Sequence, residues 1–234
     1  MKKHIPNIIT SFNLLCGIIA IIFTFKGELH IAAALMALGA FFDFFDGFAA
    51  RLLNVKSEMG KQMDSLADLV SFGLVPGFIM FQLLKTSSGL PVLNISGVNV
   101  IIYLAFIIPV LSTFRLAKFN IDTRQTDSFI GLPTPANSLF IGSLPFIIDG
   151  IWSVELIWLN NFYILIAISF ALSILMVSEL PLFALKFKGF GWKENNIRFI
   201  FLFISMLLLI IFQIAAFPLI ILTYIIISLL VRNM

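Results

Sequence analysis

Stretches of about 20 apolar residues recur along this chain, the length at which a helix crosses a hydrocarbon core about 30 Å thick. Eight of them run near residues 7–26, 29–53, 62–84, 98–115, 134–149, 161–180, 197–213 and 216–231, the fifth interrupted by Pro145. Backbone in lipid must satisfy its own polar groups, so stretches of this length fold as helices. Only 12% of the 234 residues are charged, against about 25% in soluble domains. The expectation is an all-α, polytopic membrane bundle of about eight transmembrane helices.

The connections are too short for a soluble domain and no repeat of 20–50 residues is evident, so residues 1–234 read as a single integral membrane domain. Lys2 and Lys3 precede an apolar run as in a signal peptide. No small-residue cleavage site follows, however, and Asn7, Thr10, Ser11 and Asn13 interrupt the run, which points to an uncleaved first helix. The single Cys16 lies inside that helix and excludes a disulfide framework within the chain.

With eight spans and an internal N-terminus, the inside segments carry Lys2, Lys3, Arg51, Lys56, Lys61, Arg115, Lys118, Arg124, Lys186, Lys188, Lys193, Arg198 and Arg232. The outside segments keep Lys26 and Lys85. That division obeys the positive-inside tendency and places both termini in the cytoplasm, as in a bacterial-type inner membrane. Trp152, Trp158 and Tyr163 would then anchor the outer interface, and His4 and His30 would be solvated at opposite faces. The loop from Lys186 to Arg198 is suited either to anionic headgroups or simply to topology.

The acidic residues are the anomaly in this pattern. Asp43, Asp46, Gly47, Ala50 and Arg51 fall at offsets of 0, 3, 4, 7 and 8, one helical face near the inner end of the second span. Gly60, Asp64 and Asp68 follow at intervals of four, again on one face. Residues 53–57 form a short polar turn between them, so the two helices should be antiparallel neighbours with four carboxylates converging. Charged groups at membrane depth are costly, and like charges make it worse; hard divalent cations resolve both problems. Oxygen-only ligands favour Mg²⁺ or Mn²⁺ over zinc, with Ca²⁺ also accommodated, and one or two such ions suit displacement at phosphorus. Arg51 can grip phosphate oxygens, while Gly47 and Gly60 either admit a ligand to the backbone or serve close helix packing.

Asp, two residues, Asp-Gly, two residues, Ala-Arg, eight residues, Gly, three residues, Asp, three residues, Asp: this spacing over residues 43–68 resembles the signature of the CDP-alcohol phosphotransferase family, with every fixed position met. The resemblance implies a six-helix catalytic core plus two C-terminal spans, and a homodimer. It implies that Asp43, Asp46 and Asp64 ligate metal, with Asp68 beside the metal as the base that takes the acceptor's proton. It further implies that Asp46, Gly47, Ala50, Arg51 and Gly60 bind the CDP moiety.

Three stretches bear on the acceptor. Residues 69–76 place Ser71-Phe72-Gly73 directly after Asp68, residues 114–120 carry Arg115, Lys118 and Asn120, and residues 129–136 read Gly-Leu-Pro-x-Pro-Ala from Gly131. They resemble the serine-accepting branch of the family, which implies CDP-diacylglycerol and L-serine as substrates; Lys118 stands where that branch commonly has Arg. The acceptor-selecting region is thus expected at 115–136, with 121–136 folding over the site as a lid. Serine presents a carboxylate, an ammonium and the reacting hydroxyl, for which Arg115, Lys118, Asn120, Ser71 and Asn13 are candidates. Arg115 and Lys118 can equally be read as anchors ending a span, and Ser71 as bonding back to its own helix. The alternatives are the same chemistry on glycerol phosphate or inositol phosphate and, from another class, a cation transporter. A transporter would distribute carboxylates along a pathway, whereas here they lie within 26 residues. The spans after residue 137 are expected to supply scaffold and dimer contacts.

Overall fold

The computed structural model describes residues 4–55, 57–122, 128–150, 156–183 and 191–232. Lys2, Lys3, Lys56, Arg124, Trp152, Lys186 and Lys188, which entered the topology and headgroup readings, lie outside the described residues.

The first two helices are α1 (Ile5–Phe25) and α2 (Leu29–Leu52). Pro6 sits in the first turn of α1, where its missing N–H is no loss. The helix ends at Gly27, whose φ of 79° lets Glu28 N–H reach Phe23 O at 3.0 Å and Gly27 N–H reach Thr24 O at 3.1 Å. This glycine-dependent C-cap turns the chain back, so α2 runs antiparallel to α1. Small residues permit their close approach: Ala20, Ala32, Ala33 and Gly39 are all buried.

A third rod begins at α3 (Glu58–Asp68), whose first turn is capped by the Ser57 hydroxyl accepting from Gly60 N–H at 2.9 Å. Directly after Asp68 the helix widens into a π turn over Leu69–Leu74 before α4 (Val75–Thr86). Pro76, in the first turn of α4, has no N–H to give and crowds the carbonyl four residues back, a physical cause for the widening. The result is one rod from Glu58 to Thr86, which starts four residues before the expected span at 62.

A tight hairpin of β1 (Asn94–Ile95) and β2 (Val98–Asn99) turns through Ser96 and Gly97, both at positive φ. A 3₁₀ turn over Val100–Phe106 then leads into α5 (Ile107–Ile121). The third rod crosses this one closely: a Cβ added to Gly77 would lie 2.8 Å from Pro109, and one on Gly73 would lie 3.2 Å from Ser112.

The remaining elements are β3 (Ser128–Ile130), α6 (Thr134–Ile148), α7 (Phe162–Val177), β4 (Pro181–Phe183), α8 (Trp192–Phe212) and α9 (Ala216–Arg232). Each of the eight apolar stretches is helical. Five candidate spans are long and apolar enough to cross a membrane, with α6 and α7 shorter, and large apolar side chains cover the outside of the bundle. The chain is a multi-pass integral membrane protein. The last candidate span, Asn195–Leu230, is two helices folded back at Gln213, where φ is 51°. Phe201 and Tyr224 have ring centroids 5.7 Å apart, whereas a straight helix would separate them by about 35 Å.

Two expectations need correction. His30 is half-buried rather than solvated, with its ring edge-on to Phe146 at 4.7 Å. The segment expected as a lid is held down where it is described: β3 pairs antiparallel with β4, Gly131 N–H donates to Leu180 O at 2.8 Å, and Leu132 N–H donates to Leu175 O at 2.9 Å. Gly131, at φ 75°, lies so close to the end of α7 that a Cβ there would be 2.3 Å from Met176 O.

Candidate active site

The face of α2 that carries Asp43 and the face of α3 that carries Asp64 and Asp68 meet, as their spacing requires. Oxygens of Asp43, Asp64 and Asp68 all lie within 4.8 Å of one another. Asp43 makes carboxyl contact with both of the others. Asp46 stands at the edge of this trio: it is buried, and its Oδ2 accepts a 2.5 Å hydrogen bond from Thr10 on α1. Three carboxylates so close repel one another, and their all-oxygen donor set, held by two helices, fits a hard divalent cation such as Mg²⁺ or Mn²⁺.

α1 contributes more than packing. Asn13 is fully buried and its Nδ2 donates to Asp68 Oδ1 at 3.2 Å, while its Oδ1 has no hydrogen-bond partner among the described residues. Asn13 is held by Ser71, whose hydroxyl donates to the Asn13 carbonyl at 3.0 Å. This bond crosses to α1 from the π turn, so the Ser71 proton is committed to the bundle, neither to substrate nor to its own helix. Gly17 makes the approach possible, since a Cβ there would sit 2.5 Å from Ser71 Oγ.

A cavity of about 480 Å³ opens beside the trio. Pro6, Asn7 and Thr10 of α1 form one wall, Ala50 and Val55 a second, and Ser57, Gly60, Lys61 and Asp64 a third. Gly60 is confined by its neighbours, a Cβ there lying 2.9 Å from Ser57 Oγ and 3.0 Å from Asn7 Oδ1. Gly47 is different: an added Cβ would meet nothing nearer than Arg51 Nη1 at 3.5 Å, so helix packing does not demand a glycine there. Arg51 is exposed, with its guanidinium over that gap.

The candidates on α5 separate. Arg115 is buried, with Nη1 3.5 Å from Thr134 Oγ1 on α6 and its guanidinium 5.1 Å from the centre of the Phe119 ring. Asp68 acts electrostatically on it, and the Tyr224 hydroxyl lies near it. Lys118 instead forms an ion pair with Glu179 after α7. Asn120 donates to Ser65 Oγ at 2.7 Å and its carbonyl accepts from Lys61 at 2.7 Å, ties that fasten α5 to α3. Of the five acceptor candidates, the structure therefore brings Arg115 and Asn13 to Asp68, and engages Lys118, Asn120 and Ser71 in holding the bundle.

Thr10 and Thr134 were missed as site residues. Thr10 carried a signal: Asn7, Thr10, Asn13 and Gly17 form a polar or small stripe down one face of an otherwise apolar helix. Asn137, one turn beyond Thr134, is also fully buried, and neither of its amide atoms has a hydrogen-bond partner among the described residues.

Comparison with known proteins agrees with this geometry. The family model described as CDP-alcohol phosphatidyltransferase matches residues 3–175. The chain is 36% identical over 144 residues to CDP-diacylglycerol–serine O-phosphatidyltransferase of Bacillus subtilis, covering 62% of this chain and 76% of that protein. Against the protein of the same name from Helicobacter pylori strain J99, identity is 33% over 138 residues, covering 58% of this chain and 54% of the relative, about half its length. It is 29% identical over 179 residues to archaetidylserine synthase of Methanothermobacter thermautotrophicus, covering 75% of this chain and 68% of that one. The matched segment runs from the start of α1 almost to the end of α7 and contains every member of the carboxylate site; the chain belongs to the CDP-alcohol phosphatidyltransferase family and is a phosphotransferase.

Proposed function

We propose that this chain transfers the phosphatidyl group of CDP-diacylglycerol to the hydroxyl of L-serine, giving phosphatidylserine and CMP. The observation that carries the acceptor is the buried guanidinium of Arg115 close enough to Asp68 to act on it electrostatically. A cation for a carboxylate beside a base for a hydroxyl matches serine. The names of the Bacillus and Helicobacter relatives point to the same acceptor, and that of the Methanothermobacter relative points to serine on a different lipid.

In this reading the cytidine and pyrophosphate occupy the cavity between α1, α2 and α3, with Gly47 and Gly60 admitting the ligand to the backbone, Asp46 and Ala50 lining its approach, and Arg51 over the phosphates. Asp43, Asp64 and Asp68, with Asp46 at their edge, would hold Mg²⁺ or Mn²⁺, which supplies charge neutralisation on the pyrophosphate. Asp68 takes the proton of the serine hydroxyl, and the Asn13 amide fixes the carboxylate that does so. The serine oxygen bonds to the phosphorus bearing diacylglycerol as the bond from that phosphorus to the CMP oxygen breaks, and CMP leaves with the electron pair. Arg115 pairs with the serine carboxylate throughout. The distribution of Lys and Arg supports a cytoplasmic position for this end of the bundle.

A phosphorylated acceptor would call for additional cations, yet Lys118, the next cation along α5, is paired with Glu179. The test supplies purified protein with CDP-diacylglycerol, Mg²⁺ or Mn²⁺, and in turn serine, glycerol phosphate and inositol phosphate, following CMP. Serine-dependent release is expected; release that depends on either phosphorylated alcohol and not on serine would overturn the acceptor.

A further inference from the structure

The C-terminal helices α8 and α9 lie beyond the segment that the family model matches. Past the polar start of α8 they are almost wholly apolar and, read as a sequence, offer scaffold and dimer contacts. Tyr224, in the middle of α9, departs from that reading. It is 8% exposed, and its hydroxyl donates to the Phe183 carbonyl at 2.8 Å. Its ring completes a three-ring cluster with Phe183 at 4.9 Å and Phe201 of α8 at 5.7 Å.

Phe183 is the last residue of β4, paired with Ser128 at the start of β3. β3 leads directly through Gly131, bonded to Leu180, and Leu132, bonded to Leu175 near the end of α7, into Thr134, the hydroxyl beside Arg115. The Tyr224 hydroxyl also lies near the Arg115 guanidinium. Arg115 thus lies beside the start of α6, into which the β3–β4 ribbon leads, with Tyr224 of α9 near it. A hydroxyl buried in an apolar helix is costly unless bonded, and this one is bonded to the ribbon that frames the acceptor's cation.

We infer that Tyr224 is a positioning residue for the acceptor: by holding the Phe183 carbonyl it fixes the β3–β4 ribbon against Arg115, so that the C-terminal helix pair forms the outer wall of the acceptor site. The inference rests on the assignment of Arg115 to the acceptor carboxylate. The cavity assigned to cytidine is lined by residues of α1, α2 and α3 and their connection, and by none of Arg115, Thr134, Phe183 and Tyr224.

The test is Tyr224→Phe, which keeps the ring and its packing and removes the one hydroxyl. The KM for the acceptor should rise about five- to tenfold, the size expected for one lost hydrogen bond, while the KM for CDP-diacylglycerol stays within twofold. Ser228→Ala, which removes a buried hydroxyl one turn further along α9 that donates only to the Tyr224 carbonyl, should leave both constants unchanged. In the wild-type protein, saturating acceptor should also slow amide exchange in β3 and β4 together, a reading that does not depend on the variant folding. Equal effects on both KM values, an unchanged acceptor KM, or a fall in thermal stability alone would overturn the proposal, as would absence of acceptor protection in the ribbon. If the wild type releases CMP with an alcohol other than serine, the same measurements made with that alcohol still decide the role of Tyr224, so failure of the serine assignment remains distinguishable.

Discussion

α1 and α8 are both 21-residue helices of mostly apolar residues, yet they use their few polar side chains in opposite ways. In α1, Thr10 and Asn13 turn inward and hold carboxylates on two other rods. In α8, Ser205 is buried without a hydrogen-bond partner among the described residues, and in α9 Ser228 bonds back to its own helix. Polar groups inside a bilayer earn their place either by satisfying one another or by organising chemistry, and the first three rods do the second. The difference teaches that hydropathy alone does not rank helices by function. Where the polar atoms of a helix point decides whether it belongs to the site or to its support.

The sharpest way to break this contrast is to remove what the first three rods are arranged to hold. Chelation of divalent metal should abolish CMP release, a loss of at least about 10³-fold for a step that depends on charge neutralisation by the ion, and Mg²⁺ or Mn²⁺ should restore it. Asp68→Asn should lower turnover by about 10²–10⁴-fold while CDP-lipid binding falls far less, because the change removes a base and keeps the shape. Turnover and retention of CDP-lipid measured on the same sample check it. Full activity would take Asp68 out of the mechanism.

Next in size is Arg115→Lys. A lysine keeps the charge and loses the planar fork, so the acceptor KM should rise about 10- to 100-fold with the donor KM little changed. Steady-state kinetics with each substrate varied in turn would show it. An equal rise in both constants would make Arg115 a span anchor, the plain reading its position in the sequence also allowed.

Gly17→Ala tests whether α1 acts through position alone. The new methyl would sit 2.5 Å from Ser71 Oγ and 3.1 Å from the Ser71 backbone. Backbone must move to admit it, which costs about 1–3 kcal/mol. Because Ser71 holds Asn13 and Asn13 holds Asp68, activity should fall about tenfold, more than thermal stability alone would suggest.

This chain of contacts also shows what the sequence could and could not reveal. The two aspartate pairs were legible because helical periodicity is local: spacings of three and four put Asp43 with Asp46, and Asp64 with Asp68, whatever surrounds them. A short connection then made the two faces meet. Thr10 was legible only as part of a stripe, since nothing in its own helix names Asp46, 36 residues away. The π turn after Asp68 depends on Pro76 and on how α5 packs against it, and a helix-period reading passes straight through it. The β3–β4 ribbon was hidden altogether, because two three-residue strands some 50 residues apart carry no alternation long enough to detect. Ser71 was misjudged for the same reason, as its partner lies on another rod.

The smallest effect is expected at the other pole of the comparison. Ile226, two residues beyond Tyr224, is 57% exposed on the outside of the bundle, where its surroundings are acyl chains. Ile226→Ala removes methylenes that pass from one apolar medium to another, so no transfer energy is lost and only contacts with lipid are exchanged. Activity should stay within about twofold and melting temperature within a few degrees, as for substitutions away from any packed or bonded feature. Set beside Tyr224→Phe, a smaller change in volume on the same helix, the pair asks whether α9 matters by its bulk or by one hydroxyl. A larger loss from Ile226→Ala than from Tyr224→Phe would mean that the lipid-facing surface covers something, and the division between site and support drawn along this helix would fail.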